Sequence, residues 1–344
     1  MNASSGLKPP FRRARAAAAL LIGPLLLAVS GSLGAQYQGA ESCADSSCHR
    51  NEYRQWLASG HRAILMEEEA AESRPVPTPE GKIWDDFSYM IGGHKTKALF
   101  LNRDGYIYTP SAGDNQYNLL TGEFSDYHAG EADKIYDCGS CHTTGYEAGG
   151  SPDGLPGIAG TFALPGVQCE HCHGPGLAME EGDPAICQDC HNHGPEGAVK
   201  ASGGFIVSEG QHNEFMAGPH AALGDGCVSC HNPHKPAEFG ITTACSNCHA
   251  SEASAYAGTL MDKVGVVCED CHMPPATLSA QALGPKTGDL KTHIFYINTN
   301  PAANMFTGNG ANVALTGGKG AVTLDFACQR CRQGARLDEP ARSP

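Results

Sequence analysis

The chain's one long apolar run lies at its start. Ala16 to Val29 is apolar, interrupted by Gly23 and Pro24. Basic Lys8, Arg12, Arg13 and Arg15 precede it, and small residues follow through Ala35. That order is a secretory signal, with cleavage expected near Ala35. The run is short for a transmembrane helix, so an uncleaved anchor is the lesser alternative. Further on, helical spacing extends from Asn51 to Glu69, and residues 70–80 read as a Pro-containing connector. From Trp84 to Tyr127 the pattern shortens to strand-like words around Phe87–Gly93, Ala98–Asn102 and Tyr106–Thr109. Asn102-Arg-Asp-Gly105 reads as a hairpin turn, which predicts a small antiparallel β element. Residues 308–320 are Gly-rich and read as a surface loop, and Ala321–Phe326 as a short strand. The fold class expected is mainly α and irregular, with short helices.

Composition sharpens that picture. Aromatics are 7% of residues and glycines number 43, which leaves little for a large side-chain core. The formal charge is −14; without the four basic side chains of residues 1–35 it is about −18. An acidic surface argues against nucleic acid and favours basic or neutral protein partners.

The cysteines carry the chemistry. Six copies of Cys-x-x-Cys-His occur: Cys138-Cys141-His142, Cys169-Cys172-His173, Cys187-Cys190-His191, Cys227-Cys230-His231, Cys245-Cys248-His249 and Cys268-Cys271-His272. This is the attachment signature of c-type haem, in which two thiols bind the vinyl groups and the imidazole binds iron. Cys43 and Cys48, four residues apart, precede His49 and make a seventh site. Cys328 and Cys331 make an eighth pair, but Arg332 stands in the ligand position. A guanidinium has no lone pair for iron. About seven haems are therefore expected, and a normal eighth is not. They must supply much of the apolar interior, so the apo-chain is expected to be largely unfolded. The first-cysteine gaps from Cys169 to Cys268 are 18, 40, 18 and 23 residues, short enough to pack the cofactors closely.

Nine histidines lie outside the proximal positions: His61, His94, His128, His171, His193, His212, His220, His234 and His293. Spare histidines among haem motifs are candidate distal ligands, giving six-coordinate iron suited to electron transfer. The strongest candidate is His61, then His220, His234 and His293, followed by His212 and His193. His94 and His128 are weaker candidates, and His171, inside its own motif, is read as non-ligating.

Several words together are recognisable. Trp56-Leu-Ala-Ser-Gly-His61, Tyr89-Met-Ile-Gly-Gly93, Cys138-Gly-Ser-Cys-His-Thr-Thr-Gly-Tyr146, Gly166-Val-Gln-Cys-Glu-His-Cys-His-Gly-Pro-Gly176 and Thr292-His-Ile-Phe295 resemble the periplasmic multihaem cytochromes c. The likeness is to the branch of the tetrahaem cytochrome of ammonia oxidisers and its octahaem relatives, over about residues 40–331. It implies haems stacked in parallel and perpendicular pairs, with His61, His234 and His293 as distal ligands. Two departures stand out. Met179 occupies a position where relatives carry a ligating His, which makes it a candidate axial ligand. The last motif ends in Arg332.

The expected organisation is a signal peptide (1–35), an N-terminal haem segment with the β element (36–136), a haem-dense core (137–275) and a C-terminal segment (276–344). The expected role is electron transfer in the periplasm or outside the cell. Expected partners are redox proteins such as a membrane-bound quinol oxidoreductase or a terminal reductase, and an oligomer is compatible. The enzymatic alternative is an oxidoreductase acting on a small nitrogen or sulfur compound at an open haem. A conductive assembly of subunits is a third class.

Overall fold

The structure is a computed structural model and describes residues 37–44, 48–176, 181–195, 197–223 and 226–328. The signal region, Met179, Cys331 and Arg332 lie outside the described residues. Among those described, no helix is long and apolar enough to cross a membrane.

The first helices are short: α1 (Ala40–Ala44), α2 (Arg50–Leu57), α3 (Gly60–Ala63) and α4 (Glu68–Glu72). The single helix read from Asn51 to Glu69 is thus interrupted. Leu65–Glu67 leaves it to become strand β1, which pairs antiparallel with β2 (Phe87–Gly92). The reason is tertiary. Leu65 and Met66 bury on opposite faces of a sheet, which a helix surface cannot offer them. Beyond β2 lie β3 (Lys97–Asn102), β4 (Gln116–Asn118) and β5 (Glu123–Ser125), all antiparallel in the order β1-β2-β3-β4-β5. The β element is therefore larger than its sequence suggested.

Both faces of this sheet are covered, so its centre reads as a continuous apolar run rather than an alternation. Met90, Ala98 and Phe100 pack with Ala63, Met66, Val76 and Phe87 on one face. Ile91, Leu99 and Leu101 pack with Leu65, Ile107, Tyr136 and Ile158 on the other. The β2–β3 connection turns at Gly92, where φ is +77° and a Cβ would lie 2.5 Å from the Lys97 carbonyl oxygen. The turn read at Asn102–Gly105 is also present. Gly105 N–H donates to the Asn102 carbonyl, and Leu101 bridges Ile107 antiparallel.

The motifs then follow on one-turn helices: α5 (Gly139–His142), α6 (Cys169–His173) and α7 (Cys187–Cys190). α8 (Gln211–Ala217) precedes α9 (Ala250–Tyr256), α10 (Leu260–Lys263), α11 (Cys268–His272) and α12 (Leu324–Ala327). The strand read at 321–326 is confined to Val322–Thr323 and gives way to α12. A third core gathers Phe205, Ile206, Ile294, Met305, Val313, Val322 and Phe326. Among the described residues, Pro274 is the only apolar side chain between Ala217 and Ala276 that is buried.

Candidate haem sites

Each Cys-x-x-Cys-His motif folds as one tight turn. The N–H of His142, His191, His231 and His249 donates to the carbonyl of the first cysteine of its own motif, at 3.2, 2.9, 2.9 and 2.9 Å. This closure brings both thiols and the imidazole to one side of a turn, as attachment requires.

The tertiary fold then sets four of these imidazoles opposite a spare histidine. Ring centroids lie 6.5 Å apart for His61 and His191, 6.0 Å for His173 and His234, 5.8 Å for His220 and His249, and 6.1 Å for His231 and His293. Two metal–nitrogen bonds of about 2 Å and two ring radii of about 1.1 Å span roughly 6 Å. Such spacings also occur between packed aromatic rings. The composition of the pairs tells the two apart, because each joins one motif histidine to one spare histidine. The donor set and spacing therefore fit an iron held between imidazoles.

Local structure explains how the spare residues reach these positions. His61 sits on α3, and its carbonyl accepts from Val167 N–H at 2.9 Å. Trp56 Nε1 donates to the Val167 carbonyl at 2.8 Å, tying the same segments together. A Cβ at Gly166 would lie 2.9 Å from the Arg62 carbonyl oxygen, so this close approach needs glycine. His234 is set by Asn232, whose Oδ1 accepts from its backbone N–H and lies 3.1 Å from its Nδ1. His220 packs edge-on against Phe295. His293 N–H donates to buried Glu214 at 2.8 Å. Burial pushes His61 and His293 down to about 4, so both rings are neutral at pH 7 and keep a lone pair for metal. Burial raises Glu214 to about 7, against hydrogen bonds from Thr292, His293 N–H and Thr277 that pull it down.

Other candidates are placed differently. Among the described residues, His49, His142 and His272 do not stand opposite a second imidazole. His193 is exposed, with its N–H on Asn213 Oδ1. His212 bonds the His191 carbonyl through its backbone. His128 pairs with Glu131 at 2.9 Å at the surface. His94 lies beside Arg74, and its Nε2 is buried without a partner. His171 remains inside α6. Cys328 closes α12, with its N–H on the Leu324 carbonyl.

The motifs also touch one another. The thiols of Cys43 and Cys169, of Cys141 and Cys190, and of Cys187 and Cys227 are in hydrogen-bond contact. Cys245 and Cys268 bring their thiols within 4.8 Å, beside Glu269. Two features were missed in the sequence. Tyr136 places its hydroxyl 3.0 Å from His142 Nδ1, and Glu214 supports His293. Tyr136 lies two residues before Cys138, which was the available clue. Nothing local marks Glu214, whose partners are more than 60 residues away.

Comparison with known proteins agrees with this geometry. A family model described as cytochrome c3 matches residues 162–250, and one described as cytochrome c7 and related cytochrome c matches residues 123–192. The dissimilatory sulfite reductase MccA of Wolinella succinogenes is 28% identical over 147 residues. That match covers 34% of this chain and 20% of MccA. The solved octahaem MccA superposes with a TM-score of 0.61 at 17% identity, covering 91% of this chain and 70% of that one. The outer cell wall cytochrome OcwA superposes with a TM-score of 0.54 at 18% identity, covering 89% and 85%. Motif turns, opposed imidazoles and a shared fold point the same way: the chain is similar to the multihaem cytochromes c, which bind haem c covalently.

Proposed function

We propose that the protein carries electrons along about seven haems, attached at Cys43/Cys48 and at the six Cys-x-x-Cys-His motifs. The observation that carries this reading is the set of four opposed imidazole pairs. Two nitrogens on one iron leave no position for substrate, and such iron relays electrons. The touching thiols suggest the order. The first site adjoins the third, the fourth adjoins the fifth, and the sixth adjoins the seventh. The second adjoins the fourth through Cys141 and Cys190. Export to the periplasm or cell exterior, a redox protein as partner, and stacked haems belong to the same reading.

Intact mass and electron paramagnetic resonance test it together. Seven haem masses are expected. His61→Ala should convert one low-spin haem to high-spin while the haem count stays unchanged. An unchanged spectrum in that variant would remove His61 as a ligand.

One observation favours a second reading, an oxidoreductase at an open iron. Among the described residues no imidazole stands opposite His142, and burial pushes it down to about 4, which keeps the ring neutral. One relative is a sulfite reductase. On this reading sulfite added to the oxidised protein perturbs the optical spectrum of one haem, and Cys138→Ala abolishes the change. A spectrum indifferent to sulfite and nitrite would leave the carrier reading alone.

A further inference from the structure

The imidazoles differ in what holds their second nitrogen. His191 Nδ1 lies 3.2 Å from Gln211 Oε1, His234 Nδ1 lies 3.1 Å from Asn232 Oδ1, and His272 Nδ1 lies 2.8 Å from the Phe295 carbonyl oxygen. All three partners are amide oxygens. His142 is different, because its Nδ1 meets the Tyr136 hydroxyl at 3.0 Å. With Nε2 committed to iron, Nδ1 carries the ring proton and donates it. Tyr136 is then the acceptor.

We propose that Tyr136 is a positioning residue that, as a weak acceptor for His142 Nδ1, sets the potential of the haem at Cys138/Cys141 below that of an unsupported ligand and above that of the amide-supported ones. A neutral phenol oxygen carries less negative charge than an amide oxygen and draws less on the Nδ1 proton. The ring gains less anionic character, donates less to iron, and stabilises the oxidised state less. Tyr136 is built to hold this role. It is fully buried. Its N–H donates to the Gly157 carbonyl at 2.8 Å, and its carbonyl accepts from Ala159 N–H at 2.9 Å. Its ring packs in the core with Leu101, Ile107 and Ile158.

The location gives the contrast a consequence. Cys141 touches Cys190, whose motif histidine, His191, has an amide partner. A higher potential at Cys138/Cys141 makes transfer from the fourth haem to the second downhill.

The inference rests on a haem at Cys138/Cys141, so peptide mapping of haem attachment comes first. A bare peptide would overturn both that reading and this proposal. Spectroelectrochemical titration of the holoprotein then isolates Tyr136. Tyr136→Phe keeps the ring and removes the acceptor. One haem should shift upward by roughly tenfold in its redox equilibrium constant, about 59 mV for one electron. Its magnetic resonance signal should change while the others do not. 3-Fluorotyrosine at the same position, a weaker acceptor of nearly the same shape, should shift the same haem upward by less. An attached haem whose potential ignores both substitutions overturns the proposal, as does a shift with phenylalanine alone, which marks packing.

Discussion

Protein in which the Cys227, Cys230, Cys245, Cys248, Cys268 and Cys271 thiols are replaced by alanine is expected to lose the structure of residues 218–275. The sheet built on residues 65–125 should keep its protection. The contrast follows from where the apolar side chains go. Both faces of the sheet are closed by protein. Between Ala217 and Ala276, by contrast, Pro274 is the only described apolar side chain that is buried, and Leu260 and Phe239 are 74% and 70% exposed. Ile241, Met261, Val264 and Val267 are also exposed. At roughly 1.5–3 kcal/mol for each large side chain, covering these six is worth on the order of 10 kcal/mol. The helices here cannot replace that. α9 has seven residues and α10 four, well short of what stands alone in water. Hydrogen exchange read by segment checks the expectation. Equal protection of 218–275 in the variant and the native protein would show that the polypeptide, not haem, holds this region.

Glu214→Ala should be the most damaging single change away from any cysteine. The carboxylate is fully buried on α8. It accepts from Thr292, from His293 N–H at 2.8 Å and from Thr277 at 3.3 Å. Alanine leaves three buried donors unpaired, each costing about 1–3 kcal/mol. A loss of about 3 kcal/mol or more is expected, with disturbance centred on His293 and the haem it serves. Glu214→Gln retains one acceptor oxygen and should lose less. Thermal unfolding of the holoprotein gives the ranking, and the optical spectrum of the His231–His293 haem gives the local effect. Glutamine as damaging as alanine would mean that charge, not acceptor capacity, is what the site requires.

These expectations rest on different amounts of sequence. The haem motifs were fully legible, because their chemistry is local. Two thiols and an imidazole close on one turn whatever lies around them, and the short gaps already implied packed cofactors. His61, His220, His234 and His293 were also singled out among nine spare histidines, and each stands opposite a motif histidine. The β region was recognised, but its extent was not. Leu65–Glu67 carries a helical pattern and becomes a strand only because β2 is there to pair with it. Residues 321–326 show the same limit, since two residues pair and the next four turn into α12.

By itself the sequence pointed to the chemistry expected of the sites: covalent attachment, nitrogen ligands and a chain poor in protein core. Only the tertiary structure decided which imidazole faces which. His61 lies 130 residues from His191, and His234 stands opposite the histidine of the third motif although it follows the fifth. Axial pairing is a contact across the fold, and no spacing rule encodes it. Only the fold, likewise, left His142 without an imidazole opposite among the described residues and set Tyr136 behind it. A ligand's second hydrogen bond depends on what the core packs there.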